Sequence, residues 1–335
     1  MSAIPLARAM ALAADSYYAS RDPFGPSGDF VTAPEISQMF GELIGAWVAD
    51  IWQRAGSPER VVLVELGPGR GTLMADMLRT FAKVAPRLQP DVHLVERSPR
   101  LRAEQAQTLS ASWHDTLETV PGDAPILCVA NEFFDALPLT QFERTDSGWA
   151  LRAVNSGAWD LSMEANAAII PELLRDAVPG AVYERNFAGE SVVAGLSRRL
   201  ATQGGAALVI DYGYSGPALG DTLQAIHNGA FSDPLAFLGQ ADLSAHVDFA
   251  ALAGASARAG AIAHGPVDQG QLLMALGIGA RADALKALAS VERRAEIAVA
   301  VARLTSVGAM GRLFKALALV APDWPHPAGF PMVTR

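Results

Sequence analysis

Residues 61–73, VVLVELGPGRGTL, restrict the fold of this chain more than any other stretch. Val61, Val62, Leu63 and Val64 form an unbroken apolar run, the pattern of a strand covered on both faces within a parallel sheet. Glu65 follows, and Gly67, Gly69 and Gly71 then occupy alternate positions, which lets the backbone turn tightly and approach a ligand that side chains would keep away. Beyond them Leu73, Met74, Met77, Leu78, Phe81 and Val84 recur near helical spacing, with Thr72 placed to help cap the helix. Strand, glycine turn and helix in that order make a cradle for a nucleotide-like ligand.

The glycine spacing narrows the ligand. A dinucleotide fingerprint is G-x-G-x-x-G and a phosphate loop is G-x-x-x-x-G-K-[ST], and neither pattern is present. Gly67-x-Gly69-x-Gly71 preceded by Glu65 instead resembles the first motif of the class I S-adenosylmethionine (SAM) methyltransferases. Their ligand carries no phosphate, which accounts for the absence of a lysine after the glycines. The same spacing disfavours a nicotinamide dehydrogenase.

With 335 residues, half of them apolar, the chain can bury a large core as one α/β domain with an insertion or as two domains. Lys plus Arg number 26 against 35 Asp plus Glu, a formal net charge of -9, which argues against a nucleic-acid surface and leaves room for a basic protein substrate. The single cysteine, Cys128, lies in an apolar run and reads as a buried, inert thiol in a reducing compartment. No apolar run is long enough to span a membrane, and the first twenty or so residues carry too little positive charge for a signal or transit peptide. A cytoplasmic protein is therefore expected.

Taken in order, residues 4–18 read as a short helix, and residues 21–28 as turns. Thr32 and Glu35 form a T-x-x-E capping box with Pro34 in the first turn. The helix after it carries one apolar stripe through Ile36, Phe40, Leu43, Trp47 and Ile51 and stops at Gly56. Glu35 is read as a cap, and the Gly-, Asp- and Pro-rich residues just before it as a lid over the cradle. A second strand, residues 92–95, ends at Glu96, where α/β folds take the ribose hydroxyls, because a carboxylate accepts both hydrogen bonds of a vicinal diol. If residues 113–115 end a third strand, Asp115 can accept from an adenine amino group.

A fourth strand, residues 124–130, runs into Asn131, Glu132, Phe133, Phe134 and Asp135, an amide and two acids at the crevice where open α/β sheets bind ligands. Residues 141–164 lose the helical pattern. Asp146-Ser147-Gly148 and Asn155-Ser156-Gly157 are turn chemistry for an antiparallel meander, taken as an inserted substrate-facing subdomain. A fifth strand, residues 206–210, ends at Asp211. His227 and His246 lack metal-ligand spacing, so no metal is expected. Residues 250–304 read as mostly helical, and residues 314–320 as a last strand. The expected divisions are 1–56, an N-terminal helical lid segment; 57–139, the first part of the core; 140–185, the insertion; and 186–335, the rest of the core.

Residues 28–42, 65–73, 131–138, 210–213, 242–249 and 310–315 together resemble the MidA-like methyltransferases. That family includes the mitochondrial complex I assembly factor that methylates an arginine of a complex I core subunit. The resemblance implies a class I methyltransferase fold, Rossmann-like, with a mostly parallel seven-stranded sheet and an inserted antiparallel β subdomain. It implies SAM as cofactor, S-adenosylhomocysteine as product, and an arginine of a protein as methyl acceptor. The cofactor candidates are Glu65, Gly67, Gly69, Gly71, Glu96, Asp115 and Asn131. An arginine guanidinium must be oriented by acceptors, because its pKa exceeds about 12; Glu132 and Asp135 are the first candidates for that catalytic role and Asp211 the second. Two alternatives stay open: methylation of a small molecule or another side chain, and a non-catalytic assembly factor that keeps the SAM site.

Overall fold

The computed structural model describes residues 3–20 and 31–332. Residues 21–30, on which the lid before Glu35 and the start of the 28–42 motif fall, lie outside the described residues. Two compact units are present. The larger comprises Val31–Phe133, Val192–Tyr212 and Ala253–Arg335, and the smaller Met1–Phe30, Phe134–Ser191 and Gly213–Leu252.

Seven strands form the continuous path of the eight-stranded main sheet: β1 (Val62–Leu66), β2 (Asp91–Val95), β3 (Ser112–His114), β4 (Ile126–Asn131), β5 (Gly205–Tyr214), β6 (Ile262–Asp268) and β7 (Phe314–Val320), while the short Val247–Asp248 pairs in parallel with Gly213 and Tyr214 at the end of β5. Their spatial order is β3-β2-β1-β4-β5-β7-β6. β7 runs antiparallel to β5 and β6, and the other neighbours pair in parallel. Successive strands leave β1 in one direction and β4 in the other. That change of direction opens a crevice outside the carboxyl ends of β1 and β4, where such sheets bind ligands. Every residue of β1 and β4 is buried, as their unbroken apolar runs require.

Helix α1 (Gln38–Arg54) packs on α2 (Thr72–Val84), burying Phe40, Ile44, Trp47 and Ile51 with Met74, Met77 and Phe81 in one core. Glycines set how close the two helices come. A Cβ at Gly41 would stand 2.4 Å from Asp76 Cβ, and one at Gly45 2.9 Å from Met77 Cα. Side chains at these positions would force the axes apart.

Three local expectations are corrected. The N-terminal helix runs Leu6–Ser20, while Ile4–Pro5 is a strand paired with Val154 and Ala153. The stretch read as mostly helical contains β6, whose pattern is interrupted at Gly265 and Pro266, where its register with β7 shifts between His264 and Val267. Helix α1 begins at Gln38, capped by Ser37 Oγ accepting from the Met39 N–H at 3.2 Å, after a separate single turn, Ala33–Ile36.

In the smaller unit Thr140–Arg144, Trp149–Asn155 and Ala158–Glu164 form the antiparallel meander that the turn residues predict. Ser156 and Gly157 both have positive φ, 52° and 79°, as a tight hairpin demands. Val182–Arg185 joins beside the first strand. Buried Gln141 donates to Glu184 Oε1 at 2.7 Å and to Asp221 Oδ1 at 2.8 Å, which satisfies polar groups that burial would otherwise penalise. Among the described residues no helix is long and apolar enough to cross a membrane.

Candidate functional site

The glycine turn has the backbone its sequence requires. Gly67, Gly69 and Gly71 have φ of 64°, 53° and 81°, values L-residues with side chains rarely adopt. A Cβ on Gly67 would lie 2.9 Å from Phe133 Cδ2, and one on Gly71 2.7 Å from Leu109 Cδ1. Gly71 is the N-cap of α2 and Thr72 its first residue, so N–H groups of the first turn and the positive end of the helix dipole lie beside the loop. Behind it sits Glu65, 3% exposed, with the Met74 N–H donating to its carboxyl and Oε2 without a partner. Burial pushes its pKa up to about 8. Cys128 on the adjoining strand is likewise buried, its thiol pushed up to about 12 by desolvation, which leaves it inert.

Glu96 stands at the end of β2 as expected, and its Oε1 accepts the Ser98 N–H at 2.7 Å. Burial raises its pKa, against the backbone donors of Ser98 and Arg97 and the nearby Arg102. Asp115 follows β3, largely exposed, and is held by Arg102 Nη2 at 2.5 Å, while Arg102 Nε donates to Glu96 O at 2.6 Å. One arginine thus ties the two strand ends together. Gln105 is a site residue that sequence reasoning missed. Fully buried, it donates from Nε2 to Gly69 O at 2.7 Å and accepts from Trp113 Nε1 at 2.7 Å, clamping the middle of the glycine turn to β3. No local pattern marks such a residue.

At the end of β4 the structure brings Asn131, Glu132 and Asp211 together. Glu132 has φ of 52°, a left-handed conformation that costs a non-glycine residue about 1–3 kcal/mol and concentrates at functional sites. Its Oε1 accepts the Ala33 N–H and Asn131 Nδ2, both at 3.0 Å. Asn131 Oδ1 is buried without a partner. Asp211, fully buried, accepts the Phe133 N–H through Oδ2 at 3.2 Å and the Tyr212 N–H through Oδ1 at 2.9 Å, so it braces the turn after β4. Asp135 falls beyond the boundary, in the smaller unit, where its carbonyl accepts the Ala245 N–H at 3.0 Å.

The capping box is corrected here. Thr32 makes no side-chain cap bond, and Glu35 Oε1 instead accepts the hydroxyl of Thr72 at the start of α2. The single turn 33–36 is therefore fastened by Glu35 to the glycine loop and by Ala33 to the end of β4. The T-x-x-E spacing was real, but a competing donor across the fold outbid the local one.

These residues fit SAM. A phosphate-free ligand with an amino-acid end matches a glycine turn at a helix start, a carboxylate at the end of β2, and the partnerless buried acceptor on Asn131. Among the described residues no three His, Cys, Asp or Glu side chains group as metal ligands.

Comparison with known proteins agrees. Residues 43–267 match the family profile of S-adenosyl-L-methionine-dependent methyltransferases. The protein arginine methyltransferase NDUFAF7 homolog, mitochondrial, of Drosophila melanogaster is 36% identical over 90% of this chain and 77% of its own. Its Danio rerio counterpart is 34% identical over 89% and 78%. A crystal structure from Burkholderia thailandensis bound to S-adenosyl-homocysteine superposes with a TM-score of 0.78 at 26% identity, covering 98% of this chain and 90% of that one. Sheet order, glycine turn and similarity converge on one assignment: the chain belongs to the class I SAM-dependent methyltransferase family that includes the NDUFAF7 proteins.

Proposed function

We propose that this methyltransferase acts on an arginine side chain of a protein, either a respiratory complex I subunit or a bacterial equivalent. The observation that carries the reading is the similarity over most of the chain to relatives named as protein arginine methyltransferases. The cluster at the end of β4 supports it chemically.

The bound cofactor supplies a methyl group on a sulfonium centre, open to in-line displacement by nitrogen. Glu132 is the carboxylate best placed to accept from a guanidinium, because it lies at the carboxyl end of β4 and is only half-buried. It localises the guanidinium charge away from the attacking nitrogen. Asp211 serves as a positioning residue, since both its oxygens hold backbone N–H groups of the neighbouring turn. Asn131 fixes the Glu132 carboxylate through Nδ2. Asp135, the other first candidate, belongs to the smaller unit. On the cofactor side Gly67, Gly69 and Gly71 shape the turn, Glu65 supports it from behind, and Glu96 and Asp115 face the ribose and adenine ends.

Incubating the protein with methyl-labelled SAM and a lysate of its source organism tests the reading. The expected result is one labelled protein band that yields methylarginine on hydrolysis. Label confined to small molecules, or to another amino acid, would overturn arginine specificity; an absence of any label would favour an assembly factor that only retains the site. A cytoplasmic location in a bacterium is part of the same proposal, tested by fractionation.

A further inference from the structure

Several carboxylates of the larger unit are paired with arginines, and Glu65 and Glu96 are held by backbone N–H groups instead. Glu42 is paired with Arg281 at 2.7 Å, Asp76 with Arg79, Glu104 with Arg70 at 3.3 Å, and Asp115 with Arg102 at 2.5 Å. Glu35 has no cation among the described residues, although it is held in place: its Oε1 accepts from Thr72, and its turn is fixed through Ala33 to Glu132. A negative charge is thus fastened beside the positive end of α2, immediately after Gly71. Nearby, at the end of β4, Asn131 is 8% exposed and its Oδ1 lacks a donor, a second sign that something with N–H or O–H groups belongs there.

The amino-acid end of SAM carries a carboxylate and an ammonium. Backbone N–H groups at a helix start suit the carboxylate. The ammonium needs an anion, and Glu35, fastened at the start of α2 with no cation among the described residues, supplies one. We infer that Glu35 is a cofactor-binding residue whose carboxylate receives the ammonium of the methionine end, so that the turn 33–36 is part of the cofactor site and recognises the charged tail rather than the nucleoside. The inference rests on the SAM cofactor and is independent of what the methyl acceptor is.

Calorimetry on Glu35→Gln with S-adenosylhomocysteine and with methylthioadenosine, which lacks the amino-acid end, tests it. The amide oxygen of glutamine still accepts from Thr72, so the turn stays fastened while the charge is removed. S-Adenosylhomocysteine should bind about tenfold more weakly, the loss of a charge-assisted hydrogen bond, and methylthioadenosine should bind as to the wild type. Equal weakening of both ligands would make Glu35 a structural fastener and overturn the inference, as would no weakening of either. Failure of the wild type to bind S-adenosylhomocysteine at all would overturn it together with the cofactor reading.

Discussion

The Ala33 N–H donates to Glu132 Oε1 at 3.0 Å, joining residues 99 positions apart. The bond makes the segment before α1 and the turn after β4 parts of one structure, and holds the Glu132 carboxylate in a single orientation. Glu132 is the residue whose strained backbone most suggests a role beyond packing.

Glu132→Gln keeps an oxygen for Ala33 and removes the charge. Methyl transfer should fall by about 100-fold or more, while S-adenosylhomocysteine affinity and melting temperature barely move, because the lost interaction matters mainly in the transition state. Asp211→Asn should behave in the opposite way, losing about 1–3 kcal/mol of stability, since asparagine leaves one of two buried N–H groups without an acceptor. Single-turnover kinetics and thermal denaturation on the pair decide it. Full activity in Glu132→Gln would remove Glu132 from the mechanism.

Gly67→Ala should weaken SAM binding and cost about 1–3 kcal/mol, because a Cβ there meets Phe133 at 2.9 Å on a backbone with φ of 64°. Gly56→Ala is the control. Its φ is 89° but nothing lies within 4 Å, so strain alone should lower stability and cofactor affinity should be unchanged. If both variants bind SAM equally well, the glycine turn is not where the cofactor sits.

The pH dependence of folding should carry the signature of Glu65. Its pKa is about 8 in the folded chain and about 4.5 when exposed, so between those values the folded state holds a proton that the unfolded state has released. The stability from the neutral carboxyl is fully present below about pH 4.5 and is lost as pH rises toward about 8, with a slope up to about 1.4 kcal/mol per pH unit. Glu65→Gln should flatten this slope in urea titrations from pH 5 to 8 without ligand. An unchanged slope would assign the pH dependence to other groups.

The helix crossing offers a test of packing alone. Gly41→Ala should destabilise by about 1–3 kcal/mol through overpacking against Asp76. Gly279→Ala, in the helix Ile278–Ala287 with open space around its Cβ position, should stabilise by about 0.4–1 kcal/mol through lost unfolded-state entropy. Melting temperatures that shift in the same direction for both would refute the close crossing of α1 and α2.

Sequence alone determined what depends on neighbours along the chain. The apolar runs of β1 and β4, the glycines at alternate positions, the stripe of α1 and the turn dipeptides of the meander each act within a few residues, and each stands where its pattern predicts. The position of Glu96 was legible for the same reason, because the end of a strand is a local fact. Tertiary structure decided the rest. Glu35 turned from a cap to a partner of Thr72, Gln105 clamped Gly69 to Trp113, and Asp211 became a brace, because in each case the donor or acceptor comes from a distant part of the chain. Nor does composition reveal that Met1–Phe30 and Gly213–Leu252 build one unit with the meander. A buried polar atom must find a partner somewhere, and only the folded chain determines which one comes within reach.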